Sequence, residues 1–211
     1  MHAHSKKTQT CSKSLALFDF DGTLCKVDSF TAFFKNVLPK KHFYWHCLPL
    51  LPQIIGYYLK LYPADQLRPK LSQKLLKNVE LSFIEQQNPA FTTKIIQALN
   101  PEVYQRLLWH KQQQHDIYIV SAGLNLYLKS ISQVLNIPLI CSEIEISPIL
   151  NGKYITPDCS KYEKVNRIKQ QIILKNYDYI YAYGNSFEDY DMLQLADHAY
   201  WVKSDNICLL F

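Results

Sequence analysis

The chain has 211 residues, of which 48% are hydrophobic and 19% are charged, and its formal net charge is +5. This composition supports one sizeable apolar core and excludes a disordered chain, a collagen-like chain and a small disulfide-stapled module. The lysines are scattered and no nucleic-acid-binding motif accompanies them, so we expect no nucleic acid partner. The mild positive charge would favour an anionic substrate.

The N-terminal segment 1–13 carries no apolar stretch and predicts a disordered tail without a signal peptide. The cysteines form no Cys-x-x-Cys pair, which indicates free thiols in a reducing compartment. We therefore expect a cytoplasmic protein. The segment 43–62 is apolar over about the length of a membrane span, but prolines and polar residues interrupt it. It predicts an apolar helical pair, or a face that rests on the inner membrane as a peripheral contact.

The predicted secondary structure changes character twice along the chain. An apolar run before a glycine predicts a buried strand at 15–20, and the residues 28–100 then show no strand-like alternation and predict helices. After residue 100, strands and helices alternate, as in a parallel α/β sheet. The helices are predicted at 29–38, in parts of 43–62, and at 65–78, 83–99, 101–115, 124–135, 160–175 and 187–196. The later strands are predicted at 117–120, 137–141, 179–183 and 199–202, with a hairpin turn at Asn151-Gly152.

Two carboxylates, Asp19 and Asp21, stand at the C-terminal end of the first predicted strand, in the sequence DFDGT. Strand alternation places them on the same side, and parallel sheets bind ligands at these strand ends. Neighbouring carboxylates repel each other unless a cation lies between them or one of them takes a proton. Mg²⁺, a hard cation that prefers oxygen ligands, is the natural guest.

The sequence DFDGT after a hydrophobic strand resembles the first motif of the haloacid dehalogenase (HAD) superfamily. In that family the first aspartate attacks phosphorus and the second acts as general acid and base, which would make Asp19 the nucleophile and Asp21 the acid/base. The resemblance implies a Rossmann-like parallel sheet flanked by helices, a phosphatase activity and a Mg²⁺ cofactor. It also implies a HAD core formed by 14–27 and 101–211, with 28–100 as a helical C1-type cap inserted after the first strand.

Two further motifs of the family supply polar groups for the phosphate. Ser121, at the end of the strand 117–120, matches the Ser or Thr whose hydroxyl donates to a phosphate oxygen. The family also has a lysine that holds the nucleophile and the phosphate together. Both Lys161 and Lys164 fall in the first turn of a predicted helix, and the family spacing favours Lys164 over Lys161.

The last motif, GNSFED, departs from the family pattern G-D-x-x-x-D. Asn185 stands where the first aspartate is expected, and Asp189 supplies the second. An asparagine keeps an oxygen ligand but removes one charge. The resemblance therefore implies Asp19, Asp21, Asn185 and Asp189 as metal ligands, with a weakened affinity for Mg²⁺. Asp189 could also serve in a capping box with Ser186.

Four further residues are candidates for substrate binding. Thr23 and Gly123 belong to the motifs, where the backbone must turn sharply or approach a phosphate. Asp28 could line the entrance of the site, or cap the following helix. Arg68, the one arginine of the predicted cap, could bind a substrate anion or remain a solvated surface residue.

Three functions follow from these motifs. The spacing resembles HAD subfamily IB, the phosphoserine phosphatase-like group, which implies a Mg²⁺-dependent phosphatase of a small phosphorylated metabolite. The segment 48–55, LPLLPQII, resembles the apolar segment of phosphatidylglycerophosphate phosphatases of the C type, which implies a lipid phosphate head group and membrane contact through 43–62. The third function is a non-catalytic domain that binds a phosphorylated ligand, and Asn185 is its only support.

Overall fold

The structure, a computed structural model, describes residues 13–204 and 206–211. Of the predicted disordered tail, Lys13 is described and 1–12 lie outside the described residues. The strands are β1 (Ser14–Phe18), β2 (Val79–Glu80), β3 (Asp116–Leu124), β4 (Leu139–Ser142), β5 (Ile149–Leu150), β6 (Tyr179–Gly184), β7 (His198–Lys203) and β8 (Asn206–Leu209). The helices are α1 (Ser29–Val37), α2 (Lys40–Cys47), α3 (Leu51–Tyr58), α4 (Ala64–Leu75), α5 (Leu81–Gln97), α6 (Pro101–Gln112), α7 (Asn125–Leu135), α8 (Tyr162–Gln171) and α9 (Tyr190–Leu193).

One sheet of six strands has the order β4-β3-β1-β6-β7-β8. The first five strands are parallel, and β1 lies between β3 and β6. The residues 15–18 of β1 are fully buried, as expected for a strand that is covered on both faces. The last strand, β8, runs antiparallel to β7 and was not predicted. The predicted fold class, a Rossmann-like α/β sheet with a helical insertion after the first strand, is confirmed.

The side chains of β1 alternate between two apolar clusters, which places helices on both faces of the sheet. Ala16 and Phe18 belong to the larger cluster, which also contains side chains from α1, α5 and α7. Leu15 and Leu17 belong to the smaller cluster, with side chains from α8 and α9. The larger cluster therefore joins the sheet to the helical insertion.

The helices α1–α5 form that insertion, and it contacts the rest of the chain at several points. Its short strand β2 pairs antiparallel with β5, through Val79 and Leu150. The hydroxyl of Ser72 donates to the carbonyl oxygen of Gly152 at 2.9 Å. Gly152 has a φ of +67°, and a side chain there would collide with the backbone carbonyl of Ser72, so the position requires glycine. Among the described residues, no helix is both long and apolar enough to cross a bilayer.

A buried histidine of α6, which contacts β6, makes the stability of the fold depend on pH. His110 is fully buried, and its Nε2 lies 2.9 Å from Oη of Tyr183 while its Nδ1 lies 2.7 Å from Nδ1 of His115. Burial, with smaller contributions from the charges of His115 and Arg106, lowers the pKa of His110 to about 3. The folded chain therefore keeps this imidazole neutral at pH values where the unfolded chain protonates it.

We expect His110 to destabilise the fold as the pH falls. Below the ordinary histidine pKa near 6.5, the unfolded chain binds a proton that the folded chain does not bind until the pH approaches about 3. Each such proton costs up to about 1.4 kcal/mol of unfolding free energy per pH unit. The variant His110→Asn should lose part of this slope in urea unfolding measured between pH 6.5 and 4. If the unfolding free energy of the variant depended on pH as steeply as that of wild type, His110 would not be the group responsible.

Candidate active site

The loop after β1 places the first predicted motif at the C-terminal ends of the parallel strands. The N–H of Asp19 donates to the carbonyl oxygen of Tyr183 in β6 at 2.9 Å, which continues the parallel pairing by one residue. The chain then turns back, and the N–H of Gly22 donates to the carbonyl oxygen of Cys25 at 2.7 Å. Gly22 has a φ of +79°, and a side chain there would collide with the amide of Asn185. The turn therefore requires glycine and packs directly against the last motif.

Lys164 lies between two buried carboxylates. Its Nζ donates to Oδ1 of Asp19 at 2.6 Å and to Oδ1 of Asp189 at 2.5 Å, and the three side chains are at most 8% exposed. Burial raises the pKa of Asp19 to about 7, the charge of Asp189 adds to the rise, and Lys164 opposes it. Burial alone would lower the pKa of Lys164, but the charges of Asp189 and Asp19 raise it above its ordinary value. Lys161, the alternative, instead pairs with Asp65 at 3.0 Å.

Both oxygens of Asp189 are occupied by donors from the protein. Oδ1 accepts from Lys164, and Oδ2 accepts from the N–H groups of Asn185 and Ser186 at 3.1 and 2.9 Å and from the Ser186 hydroxyl at 2.9 Å. Burial opposes ionisation, but Lys164 and the donors of Ser186 lower the pKa of this carboxyl. Asp189 and Ser186 thus form the capping box that the sequence allowed. This geometry makes Asp189 a support for Lys164 and for the turn that carries Asn185.

Asp21 lies two residues after Asp19 in the same loop and is half-buried. Its Oδ1 accepts from the N–H of Ser29, the first residue of α1, at 2.9 Å. Burial raises the pKa of Asp21 to about 7 and the nearby charge of Asp28 contributes, whereas the hydrogen bonds from Ser29 oppose the rise. Asp28 is the N-cap of α1, since its Oδ1 accepts from the N–H of Thr31 at 3.2 Å. Its side chain also lines the cavity of the site, so both predicted roles of Asp28 fit its position.

The structure brings Ser121, Gly123 and Asn185 to the same cavity as the aspartates. Ser121 is buried in β3, and its Oγ accepts from the N–H of Gly123 at 3.0 Å, which leaves the hydroxyl hydrogen free to donate elsewhere. Thr23 is fully buried and does not line the cavity. Its hydroxyl donates to Oδ1 of Asn185 at 3.3 Å, so it orients that side chain from behind.

Arg68 lines the cavity, but its guanidinium is bound to acidic residues of the chain. Its Nε and Nη2 donate to the two oxygens of Asp158 at 2.8 Å, and Nη2 also lies 3.1 Å from Glu188. The hydrogen bonds and charges of Asp158 and Glu188 outweigh burial and raise the pKa of Arg68 well above its ordinary value. With the pair of Lys161 and Asp65, this ion pair ties α4 to the segment before α8. Sequence analysis missed Asp158 and Glu188, because no local pattern marks a partner that lies 90 or 120 residues away.

A cavity of about 560 Å³ connects these residues with the helical insertion. Its polar lining comes from the strand ends and includes Asp19, Asp21, Ser121, Lys164 and Asn185. Most of the remaining lining comes from the insertion. Besides Asp28, Lys35 and Arg68, it is mainly aromatic and aliphatic: Phe30, Phe34, Phe43, Ile54, Tyr57, Leu67, Leu71 and Leu75. A polar end and an apolar wall are typical of a ligand site that holds one charged group.

The donors in this cavity suit a hard cation, although they do not form a cluster of acidic or histidine ligands. Within the described ranges, no group of three or more His, Cys, Asp or Glu side chains is placed to hold a metal ion. Asp19 and Asp21 are two carboxylates that burial makes unfavourable to ionise, and Asn185 adds an amide oxygen in the same cavity. Mg²⁺ commonly binds through one or two carboxylates together with phosphate and water, so these oxygen donors fit it.

Solved structures resemble this fold at low sequence identity. A protein of unknown function from Bordetella pertussis Tohama I is 18% identical with a TM-score of 0.72, covering 88% of this chain and 87% of its own. A HAD family hydrolase from Salmonella enterica serovar Typhi is 15% identical with a TM-score of 0.69, covering 92% of this chain and 64% of its own. A phosphoserine phosphatase in the apo form is 16% identical with a TM-score of 0.62, covering 88% and 84%. At these identities the likeness concerns the fold.

Comparison with curated protein sequences gave no significant match. Comparison with family models gave one for the haloacid dehalogenase-like hydrolases, over residues 16–194. The matched region contains all four sequence motifs, from Asp19 to Asp189, and thus every side chain of the polar end of the cavity. The protein therefore belongs to the haloacid dehalogenase-like hydrolase family.

Proposed function

We propose that this hydrolase is a Mg²⁺-dependent phosphomonoesterase that works through an aspartyl-phosphate on Asp19. The observation that carries the proposal is the buried chain of ion pairs Asp19–Lys164–Asp189, in a cavity that Asp21 and Ser121 also line. Lys164 favours the ionised form of Asp19 and fixes its orientation through a 2.6 Å hydrogen bond. An ionised and oriented carboxylate can attack phosphorus without a separate activating base.

The proposed reaction has two steps, and each of them balances. First, an oxygen of Asp19 forms a bond to phosphorus while the ester P–O bond breaks, and Asp21 gives a proton to the departing alcohol. Then Asp21 takes a proton from a water molecule, the water oxygen bonds to phosphorus, and the bond to Asp19 breaks to release inorganic phosphate. Ser121 would donate its hydroxyl hydrogen to a phosphate oxygen, and Lys164 would neutralise the charge that Asp19 shares with the phosphate.

We propose Asp19 and Asn185 as the residues that hold Mg²⁺, because Asp21 must carry the proton that it gives to the departing alcohol, and burial raises the pKa of Asp21 to about 7. When bound, the metal would neutralise charge on the transferring phosphoryl group. Asp189, which the sequence also suggested as a ligand, is assigned to positioning Lys164, because its oxygens already accept four hydrogen bonds.

The proposal is tested with the full chain and a panel of amino-acid, sugar, nucleotide and lipid phosphates. Phosphate release should require Mg²⁺, should fall by about 100-fold or more after treatment with a chelator, and should return when Mg²⁺ is restored. Full activity after exhaustive metal removal would contradict the metal assignment. Binding of phosphate esters without turnover would instead support the third function, a non-catalytic binding domain.

The variant Asn185→Asp is expected to bind Mg²⁺ more tightly. It adds a negative charge in the cavity, next to Asp19 and Asp21, and the Thr23 hydroxyl can still donate to a carboxylate oxygen at this position. The gain should be about three- to ten-fold in the Mg²⁺ concentration for half-maximal rate, because repulsion and desolvation cancel most of the Coulomb energy. The maximal rate need not rise, since binding the metal equally well in ground and transition states changes no barrier. An equal or higher half-maximal concentration would show that residue 185 is not a ligand.

The apolar lining of the cavity favours a second candidate substrate class, a lipid phosphate head group. A small polar metabolite would leave the insertion's aromatic and aliphatic side chains, such as Phe34, Phe43 and Leu71, without an apolar partner. The substrate panel distinguishes the two classes. Turnover of a short-chain lipid phosphate should exceed that of its deacylated glycerol phosphate if the apolar wall contributes binding energy.

We further propose that 28–100 acts as a cap on a core formed by 14–27 and 101–211. The support is that the insertion provides the apolar wall of the cavity, while the ion pairs of Arg68 and Asp65 hold it against the core. Such a cap would exclude bulk water from the aspartates during the reaction.

A further inference from the structure

The outward sides of α2 and α3 are apolar where a soluble helix normally carries polar residues. On α2, Tyr44 and Trp45 are 65% and 70% exposed, and Leu48 follows one turn later. On α3 and just after it, Tyr58 and Leu61 are 74% and 79% exposed. We call this the α2–α3 surface, and its members are Tyr44, Trp45, Leu48, Leu51, Ile55, Tyr58, Leu59 and Leu61.

This surface follows from the sequence spacing of the two helices. Lys41, Tyr44, Trp45 and Leu48 recur at helical intervals, and all four are exposed. The opposite side of the same helices provides Phe43, Cys47 and Ile54, which line the cavity. Both sides of the two helices therefore carry aromatic or aliphatic side chains, and packing against the rest of the chain accounts for only one side. Contiguous exposed apolar surface of this kind marks an interaction site more often than an accident of composition.

The α2–α3 surface is continuous with the cavity of the candidate active site. Tyr44 and Tyr58 belong to the exposed surface and also line the cavity, as does their neighbour Tyr57. A ligand with a phosphate at the aspartates and an apolar group along the wall would thus extend toward the α2–α3 surface.

The charged residues beside the α2–α3 surface indicate which kind of partner it binds. Lys40 and Lys41 at the start of α2 and Lys60 after α3 are exposed, whereas α2 and α3 contain no acidic residue. Trp and Tyr next to lysines, beside Leu and Ile, are the side chains that favour the boundary between lipid head groups and acyl chains. A second copy of this chain would bring the same lysines into the interface, so like charges would oppose a symmetric dimer there.

We propose that the α2–α3 surface docks the protein on an anionic lipid bilayer, with the cavity opening toward the bilayer surface. The docking is independent of the proposed phosphatase activity, and only the uptake of a lipid phosphate from the bilayer depends on it. The aliphatic side chains would enter the head-group boundary and the lysines would contact anionic head groups.

The test is the binding of the purified full chain to vesicles, measured by co-flotation. Vesicles of phosphatidylcholine alone are compared with vesicles that contain about 30% phosphatidylglycerol, an anionic fraction chosen to give a strong surface potential. The wild-type chain should bind the anionic vesicles, and binding should weaken as salt is raised. The nucleophile variant Asp19→Asn should bind as well as wild type, so loss of catalysis and loss of docking can be told apart.

Two pairs of substitutions test the surface itself. Trp45→Ser with Leu48→Ser should weaken vesicle binding by about ten-fold or more, and Lys40→Glu with Lys41→Glu should do the same on anionic vesicles only. The matched controls lie elsewhere on the chain. They are Val134→Ser with Ile173→Ser, which are 61% and 60% exposed, and Lys169→Glu with Lys203→Glu, which are also exposed. Both controls should bind close to wild type.

Activity on a soluble phosphate ester checks that the variants are folded. Trp45 and Leu48 do not line the cavity, so their variant should retain hydrolysis of the best soluble substrate from the panel. Three results would overturn the proposal: no binding of the wild-type chain to anionic vesicles, equal losses in the controls, or an oligomer that Trp45→Ser with Leu48→Ser converts to a monomer. The last result would assign the surface to a second copy of the chain.

Discussion

Replacement of Asp19 by asparagine is expected to lower phosphate release by about 10⁴-fold or more, because an amide is a very poor nucleophile toward phosphorus. The shape of the side chain is unchanged, and its oxygen can still accept a hydrogen bond from Lys164. Steady-state kinetics on the best substrate of the panel measures the loss, and thermal unfolding measures the fold.

The fold should survive this change, because the charge balance of the buried ion pairs improves. In the wild-type chain, one lysine cation stands between two buried carboxylates, whereas Asp19→Asn leaves Lys164 paired with Asp189 alone. We expect a melting temperature equal to or above that of wild type. Activity near the wild-type level would show that Asp19 is not the nucleophile. A large drop in melting temperature would show that the variant loses activity because it does not fold properly.

Replacement of Lys164 by methionine should remove both activity and stability. Methionine fills a similar volume but leaves Asp19 and Asp189, whose side chains are 8% and 1% exposed, with no cation between them. Breaking a buried ion pair from one side costs about 3–5 kcal/mol, and here one cation serves two carboxylates. Urea unfolding at pH 7 measures the loss.

Lys161 provides the matched control for this variant. It lies three residues earlier and also forms an ion pair, with Asp65 at 3.0 Å, but its side chain is 39% exposed. The variant Lys161→Met should cost less than about 1 kcal/mol, as exposed pairs do. Similar losses for the two variants would contradict the assignment of Lys164 as the buried bridge.

The sequence was sufficient for the five parallel strands and their C-terminal ends because both depend on local patterns. The apolar run before Asp19, and the strands before Ser121 and Asn185, predict parallel strands whose C-terminal ends meet at one edge. The structure places these three residues around one cavity. Their chemical roles remain predictions for the kinetic experiments.

Features that depend on distant partners could not be predicted from local patterns. Arg68 looked like a free cation for a substrate, but Asp158 and Glu188 bind it. The helix predicted at 83–99 begins two residues earlier, at Leu81, because β2 leads directly into α5. The helix α5 continues through Pro89 to Gln97, although proline removes one backbone donor from it.

The Asn151-Gly152 turn reverses the chain as predicted, but the pairing around it is short. Besides the bridge between Ile144 and Tyr154, the N–H of Glu145 donates to the carbonyl oxygen of Lys153 and the N–H of Ile155 to that of Glu143, both at 2.9 Å. The strand β5, just before the turn, pairs with β2 of the insertion. A turn signal states where the chain reverses, and tertiary packing decides which strand receives the hydrogen bonds.

The central position of β1 has a consequence for the order in which the protein can assemble during synthesis. Its partners begin at Asp116 and Tyr179, so a strand that is apolar except for Ser14 leaves the ribosome about a hundred residues before any neighbour exists to cover it. The insertion alone cannot complete the sheet, and Lys164 reaches Asp19 across 145 residues. Such non-local pairing slows folding. The nascent chain therefore exposes an aggregation-prone segment until β3 emerges, and truncations that end before β6 should accumulate as insoluble protein.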